Sequence, residues 1–322
     1  ASDVYKRQLC GSSVATDRQR RDGFDKSIYP ASLPDGKRIR VLKVLLTNVC
    51  EKKCGYCGIR ASRDVPRASF EPEELARAFD LVHRAGLVDG LFLSSGVRAG
   101  ADRTMDRMIA CVELIRRRYE FPGYIHLKIL PGASGAHIER AVQLAHRVSV
   151  NLEAPSPERL AAIAPHKNFV HELAEPMRTA KLLIDGSGGR YAPAGQSTQF
   201  VVGAAGEADR EILSVSARLY TELELSRAYY LAFNPVPGTP LDHLPATPGL
   251  REHRLYQADW LLRFYGFTYD DLVFDPTGNL SPVADPKLMY ARMHAERFPL
   301  EAVSYTHLTL PTSCVQCCAG WG

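Results

Sequence analysis

A run of β-branched and leucine residues, VLKVLLTNVC, ends on Cys50, the first of three cysteines in CEKKCGYC. A strand hands whatever follows it to its C-terminal tip, and in α/β barrels that tip carries the chemistry. The strand is read as residues 39–49, and five more strand-like runs follow at 90–93, 124–130, 148–153, 198–203 and 228–234. Helical patterns lie between them, among them 72–85, 104–119 and 136–146, the first with Glu71, Glu73 and Glu74 around its first turn. Alternating strands and helices imply a parallel sheet. Six such units predict a partial (β/α)6 TIM-like barrel with a small C-terminal appendage, because a closed eightfold barrel needs more strands than precede the Pro-rich stretch 235–248. No internal repeat or low-complexity segment is visible.

Cys50, Cys54 and Cys57 are spaced C-x3-C-x2-C. Three thiolates on one loop hold three corners of a [4Fe–4S] cluster and leave the fourth iron without a protein ligand. S-adenosylmethionine suits that vacancy, since its amino and carboxylate groups chelate an open iron. An electron from the reduced cluster then breaks its C–S bond and gives a 5′-deoxyadenosyl radical. A structural zinc site is the competing reading, but zinc takes four ligands, usually in paired C-x2-C units, and one such pair is present here. An electron carrier, the non-catalytic alternative, closes its cluster with a fourth cysteine.

The 322 residues are 45% hydrophobic, enough for one large α/β domain. No apolar run approaches the roughly 20 residues of a membrane helix, and the start lacks a signal-peptide core. The net charge of +4 permits nucleic acid without arguing for it, and Arg116-Arg117-Arg118 reads as a solvated helix face. Eight cysteines, three of them at metal spacing, fit a reducing cytoplasm better than a disulfide framework. Segments 1–8 (ASDVYKRQ) and 303–322 (starting VSYTHLTLPT) look like translated adapter or vector sequence. On that view Cys314, Cys317 and Cys318 are read-through rather than a second metal site. The chain divides into an N-terminal extension (1–35), the barrel (36–240), a helical appendage (241–302) and the foreign tail (303–322).

Strand parity predicts which side chains face the barrel interior. In 124–130, His126 and Lys128 share one face and Ile125, Leu127 and Ile129 the other; in 148–153, Asn151 and Glu153 alternate with Val150 and Leu152. Helices cover the outside, so the polar face turns inward, and a polar interior suits a charged ligand. The alternative is a buried structural ion pair between Lys128 and Glu153. After the second strand, Ser94, Ser95 and Gly96 offer backbone to an ammonium, or form an ordinary βα turn. Gly203 and Glu207 follow the fifth strand, where glycine admits close approach of an adenine or ribose, or marks a helix entry. Asn234 ends the sixth strand before prolines that stop it. Tyr56, beside Cys57, packs against cluster and adenine or simply fills space.

These residues carry a family resemblance. CEKKCGYC at the end of a first strand resembles the radical S-adenosylmethionine superfamily. GLFLSSG (90–96), GYIHLKILPG (123–132) and SVNLEAP (149–155) resemble a biotin-synthase-like subfamily described as DNA modification or repair proteins and linked to a uracil-DNA glycosylase. The likeness runs from about Pro34 to Leu300, and Cys10-Gly11-Ser12-Ser13 resembles a remnant of the family's Cys-x-Ser-Ser element. It implies a radical SAM barrel that cleaves S-adenosylmethionine. An external flavodoxin- or ferredoxin-like reductant, DNA and a glycosylase-like protein are the implied partners. The subfamily's helix-hairpin-helix segment, which would meet DNA phosphates, is expected after 285–299, where the foreign tail begins instead. A biotin-synthase-like enzyme acting on a small metabolite is the alternative.

Overall fold

Seven strands lie side by side in chain order in one curled sheet. The computed structural model describes residues 27–32 and 38–297; the expectations for 1–8, Cys10-Gly11-Ser12-Ser13, 303–322 and Cys314, Cys317 and Cys318 lie outside the described residues. The strands are β1 (Ile28–Ser32), β2 (Arg38–Leu45), β3 (Gly90–Ser94), β4 (Tyr124–Lys128), β5 (Arg147–Ser149), β6 (Gln196–Val202) and β7 (Arg227–Ala232). From β2 to β7 every pairing is parallel. This is the expected partial barrel of six parallel strands, with one strand more. The addition, β1, pairs antiparallel with β2 at the sheet edge. Pro30 hid it, because proline withholds a ladder donor, and an edge strand tolerates that loss.

Helices α1 (Pro72–Arg84), α2 (Ala101–Arg117), α3 (Gly135–Leu144), α4 (Pro157–Ile163), α5 (Glu175–Gly186) and α6 (Asp209–Leu223) occupy the crossovers. A π-helical turn, Phe169–Ala174, leads into α5, and α7 (Gly249–Phe264) and α8 (Pro286–Met293) follow the last strand. The outward strand face packs on them: Leu91, Leu93, Ile125 and Leu127 meet Phe79, Met105, Met108 and Ile115 in the main core. Asp259 of α7 is fully buried and accepts hydrogen bonds from Tyr220 of α6 and, at 3.0 Å, from Tyr230 of β7, tying α7 to the sheet. No helix among the described residues is long and apolar enough to cross a membrane.

The inward face is layered. At the strands' N-terminal ends, Ile39, Val41, Tyr124 and Ala194 plug the barrel, with Tyr29 and Phe92 packed on them. Above them Phe92 stacks on His126, ring centroids 4.2 Å apart. Higher still, at the C-terminal ends, the interior opens into a cavity of about 160 Å³.

Candidate active site

The loop from Asn48 to Arg60 has no helix or strand, so its backbone polar groups need other partners. Arg67 supplies many of them. Its guanidinium donates to the carbonyls of Asn48 (2.7 Å), Ile59, Arg60 and Arg63 (each 2.8 Å), joining the two ends of the loop. The Arg60 guanidinium reaches the carbonyl of Cys54 at 3.2 Å. Neighbouring elements hold the middle: Glu51 N–H donates to the Val97 carbonyl at 2.8 Å and Gly55 N–H to the Ile163 carbonyl at 2.7 Å. Gly96 allows the turn after β3 to approach, since a Cβ there would stand 2.5 Å from the Val49 carbonyl oxygen.

This framework brings Cys50, Cys54 and Cys57 to the cavity wall. Val97 N–H donates to the Cys50 sulfur at 3.4 Å, and the Cys54 sulfur lies 3.6 Å from His166 Nε2. Burial pushes the Cys54 thiol up and the Cys57 thiol to about 12, so metal must displace protons to bind there. Among the described residues no three His, Cys, Asp or Glu side chains are grouped to hold a single metal ion. Thiols that each take a different iron of a cubane need not converge on one point.

Most of the sequence candidates meet the same cavity. Tyr56, Ser94, Ser95 and Gly96 line it from the cysteine loop and the β3 turn, and Lys128, Asn151, Glu153 and Asn234 from the other strand ends. The Ser95 hydroxyl is buried with no hydrogen-bond partner among the described residues. Such an orphan at a cavity wall fits a polar ligand, because a buried hydroxyl left unpaired costs about 1–3 kcal/mol. Gly203 and Glu207 are not among the lining residues. The Glu207 carboxylate instead accepts from the N–H groups of Gly203 and Ala205 and closes the turn into α6, as the helix-entry alternative expects. Gly203 has φ of 90°, and a Cβ on it would strike Thr247.

Lys128 and Glu153 both face the cavity but do not pair with each other. Glu153 is bound by Lys167, whose ammonium donates to both carboxylate oxygens at 2.8 Å, with side-chain exposures of 5% and 8%. Burial works to raise the Glu153 carboxyl, but the charge and hydrogen bonds of Lys167, helped by Tyr56, hold it below its ordinary range. Glu153 sits at φ of 66°, a conformation non-glycine residues rarely adopt, while its N–H donates to the Gln199 carbonyl at 2.9 Å. Regular β5 pairing ends at Ser149, and Thr198 carries the chain onward: its hydroxyl donates to the Val150 carbonyl and accepts from Leu152 N–H. Lys167, Gln199 and Phe233 also line the cavity and were missed in the sequence. Lys167 follows α4 in an irregular loop, where no strand period assigns a direction.

The basic and aromatic residues near β7 are buried or half-buried and engaged with neighbouring groups. Arg227 is 6% exposed, its guanidinium 4.5 Å from the Tyr229 ring centroid and 5.6 Å from that of Tyr256. Arg251 binds Asp209 at 2.7 Å, and Arg254 donates to the Ser281 carbonyl at 3.1 Å.

Two outcomes follow from this geometry. Arg67→Lys replaces a planar fork by a point charge that cannot reach four carbonyls. The variant should fold with unchanged far-UV circular dichroism but lose most of its reconstituted iron; full iron loading would refute the role given to Arg67. Glu153→Gln leaves Lys167 buried without its counter-charge, which should cost about 3–5 kcal/mol at pH 7. A carboxyl held below its ordinary 4.5 contributes stability above that value and loses it as pH falls, so the variant's acid unfolding should be shallower. Identical urea midpoints for the two proteins at pH 7 would contradict this.

Comparison with known proteins accords with the geometry. A 223-residue stretch is 24% identical to 7,8-didemethyl-8-hydroxy-5-deazariboflavin synthase of Methanosarcina barkeri, covering 65% of each chain. The fold is similar to the FeFe-hydrogenase maturase HydG from Carboxydothermus hydrogenoformans (TM-score 0.56, 16% identity, 71% of this chain and 52% of that one). It is also similar to methylornithine synthase, PylB (TM-score 0.55, 15% identity, 70% of this chain and 62% of that one). This chain thus spans roughly half to two thirds of the length of these relatives. The family profile described as the Radical SAM superfamily matches residues 44–215, more than half of the chain and the whole cysteine loop. The chain belongs to the Radical SAM superfamily, whose cofactors are a [4Fe–4S] cluster and S-adenosylmethionine.

Proposed function

We propose that this chain is a radical enzyme that reductively cleaves S-adenosylmethionine and acts on a small molecule held inside the barrel. The observation that carries the reading is the meeting of the three thiols and the orphaned Ser95 hydroxyl on one cavity, above an interior plugged by Tyr29, Phe92 and Tyr124. Cys50, Cys54 and Cys57 would hold the cluster, and the turn at Ser94, Ser95 and Gly96 would meet the methionine end of the cofactor. Asn151 and Glu153 stand across the opening for its ribose, and Phe233 and Asn234 for its adenine. When bound, the pair supplies a 5′-deoxyadenosyl radical that removes a hydrogen atom from the substrate. The protein's own part is to orient that substrate and to exclude water with Leu45, Ile129, Val201 and Leu231.

Small-molecule chemistry is favoured over DNA modification. A base in duplex DNA must first be flipped out of its stack to reach the barrel interior, a step that a free metabolite does not need. Arg227, Tyr229, Tyr230 and Tyr256, whose basic and aromatic character could serve a nucleic-acid surface, are engaged with one another and with α7. Two of the relatives are named for small-molecule synthesis. A one-electron donor of the flavodoxin or ferredoxin type and a reducing cytoplasm complete the proposal.

Anaerobic reconstitution with iron, sulfide, a reductant and S-adenosylmethionine tests it. The wild-type protein should release 5′-deoxyadenosine, Cys54→Ala should release none, and added DNA should leave the rate unchanged. No release from cluster-loaded wild type would defeat the radical reading. Stimulation by DNA would restore the DNA substrate in place of the small molecule.

A further inference from the structure

Four charged side chains line the cavity: Lys52, Lys128, Glu153 and Lys167. Two of the three lysines are matched. Lys52 pairs with Glu172 at 3.2 Å, and Lys167 occupies both oxygens of Glu153. Lys128 makes no hydrogen bond or ion pair with any described residue. Its surroundings add to the positive charge. Lys43 and Lys167 act on it as like charges, and beneath it the His126 imidazole is kept neutral by burial and by Arg147, Lys128 and Lys43. His126 sits two residues below Lys128 on the same strand face, stacked on Phe92 and hydrogen-bonded to Ser149 at 2.8 Å, so it supplies no counter-charge.

A lysine in this position lowers stability. Burial, opposed by Glu153 and reinforced by Lys43 and Lys167, brings its ammonium down to about 7. A chain gains nothing in folding from such a group unless something outside the protein completes it. S-adenosylmethionine would not, because its carboxylate would be taken by the open iron at the cysteine loop. The Asn151 and Gln199 amides also face the cavity without a side-chain hydrogen bond to a described residue, and they extend a polar wall beside Lys128.

We infer that Lys128 is a substrate-binding residue and that the substrate carries a carboxylate or phosphate group, which the Lys128 ammonium takes inside the barrel. The inference rests on the radical reading for the word substrate, while the anion site itself stands on the charge arrangement. Taking an anion there restores the ammonium, neutralises the excess cation and fixes one end of the substrate. The hydrogen to be abstracted is then set by its distance from that anchor.

The test uses cluster-loaded protein with S-adenosylmethionine, kept anaerobic. Its Tm is measured in inorganic phosphate, in acetate and in chloride at matched ionic strength. Phosphate or acetate should raise Tm by about 2–4 °C over chloride, the shift that roughly 1 kcal/mol of ligand stabilisation gives a domain of a few hundred residues. Lys128→Met should lose that rise, and Lys128→Arg should keep it. A rise with phosphate alone assigns a phosphate group, and a rise with acetate alone assigns a carboxylate. No rise in wild type, or an equal rise in Lys128→Met, overturns the inference. A second readout separates Lys128 from the cofactor. Lys128→Met should still shift its cluster EPR signal on adding S-adenosylmethionine; loss of that shift would make Lys128 a cofactor ligand and overturn the inference too. If wild type releases no 5′-deoxyadenosine while the anion shift persists, the radical reading fails and the anion site survives.

Discussion

Arg67 closes the cysteine loop. Its four hydrogen bonds span Asn48, before the first cysteine, and Ile59, Arg60 and Arg63, after the last. A thirteen-residue excursion without helix or strand would otherwise sample many arrangements, and three thiols must be fixed together to take one cluster. The rest of the site depends on that closure. With the loop shut, Glu51 and Gly55 reach the backbone of Val97 and Ile163, and the turn after β3 lies against Cys50. The three thiols and the strand ends then share one cavity.

The buried Glu153–Lys167 pair organises the opposite wall. Its ions are almost fully removed from water, and Glu153 adopts a left-handed backbone to take part. A hydrophobic pair of equal volume would hold the fold as well or better. Retaining ions here, at a strained residue on a cavity wall, is the pattern of a site in which preorganised charge matters more than stability. Lys128 adds to that pattern from β4, and the apolar plug below confines the charges to the open end of the barrel.

Much of this was legible in the sequence because period two is a strict rule. Once 124–130 was read as a strand, Ile125 and Leu127 had to face the helices, and His126 and Lys128 the interior. The same parity placed Asn151 and Glu153 even though the regular strand stops at Ser149. What parity cannot reach stayed hidden. Lys167 and Arg67 stand in irregular segments, and their partners lie 14 and between 4 and 19 residues away in sequence. The alternative of a Lys128–Glu153 ion pair drew only on strand residues, and a loop lysine, Lys167, takes that carboxylate instead. At Gly203 and Glu207 the sequence left two readings open, because a glycine turn after a strand serves ligand approach and helix entry equally; the structure adds contacts from Thr247 and Arg251 and from the Gly203 and Ala205 amides that no strand period could supply.

Three cysteines at this cavity would leave one iron open to S-adenosylmethionine. Electron-nuclear double resonance on the reduced, reconstituted protein, with S-adenosylmethionine carrying ¹⁷O in its carboxylate and ¹⁵N in its amino group, examines that contact directly. The account predicts hyperfine coupling from both labels, because both groups chelate the open iron. An unperturbed cluster signal with neither coupling, in protein holding a full four-iron complement, would contradict it.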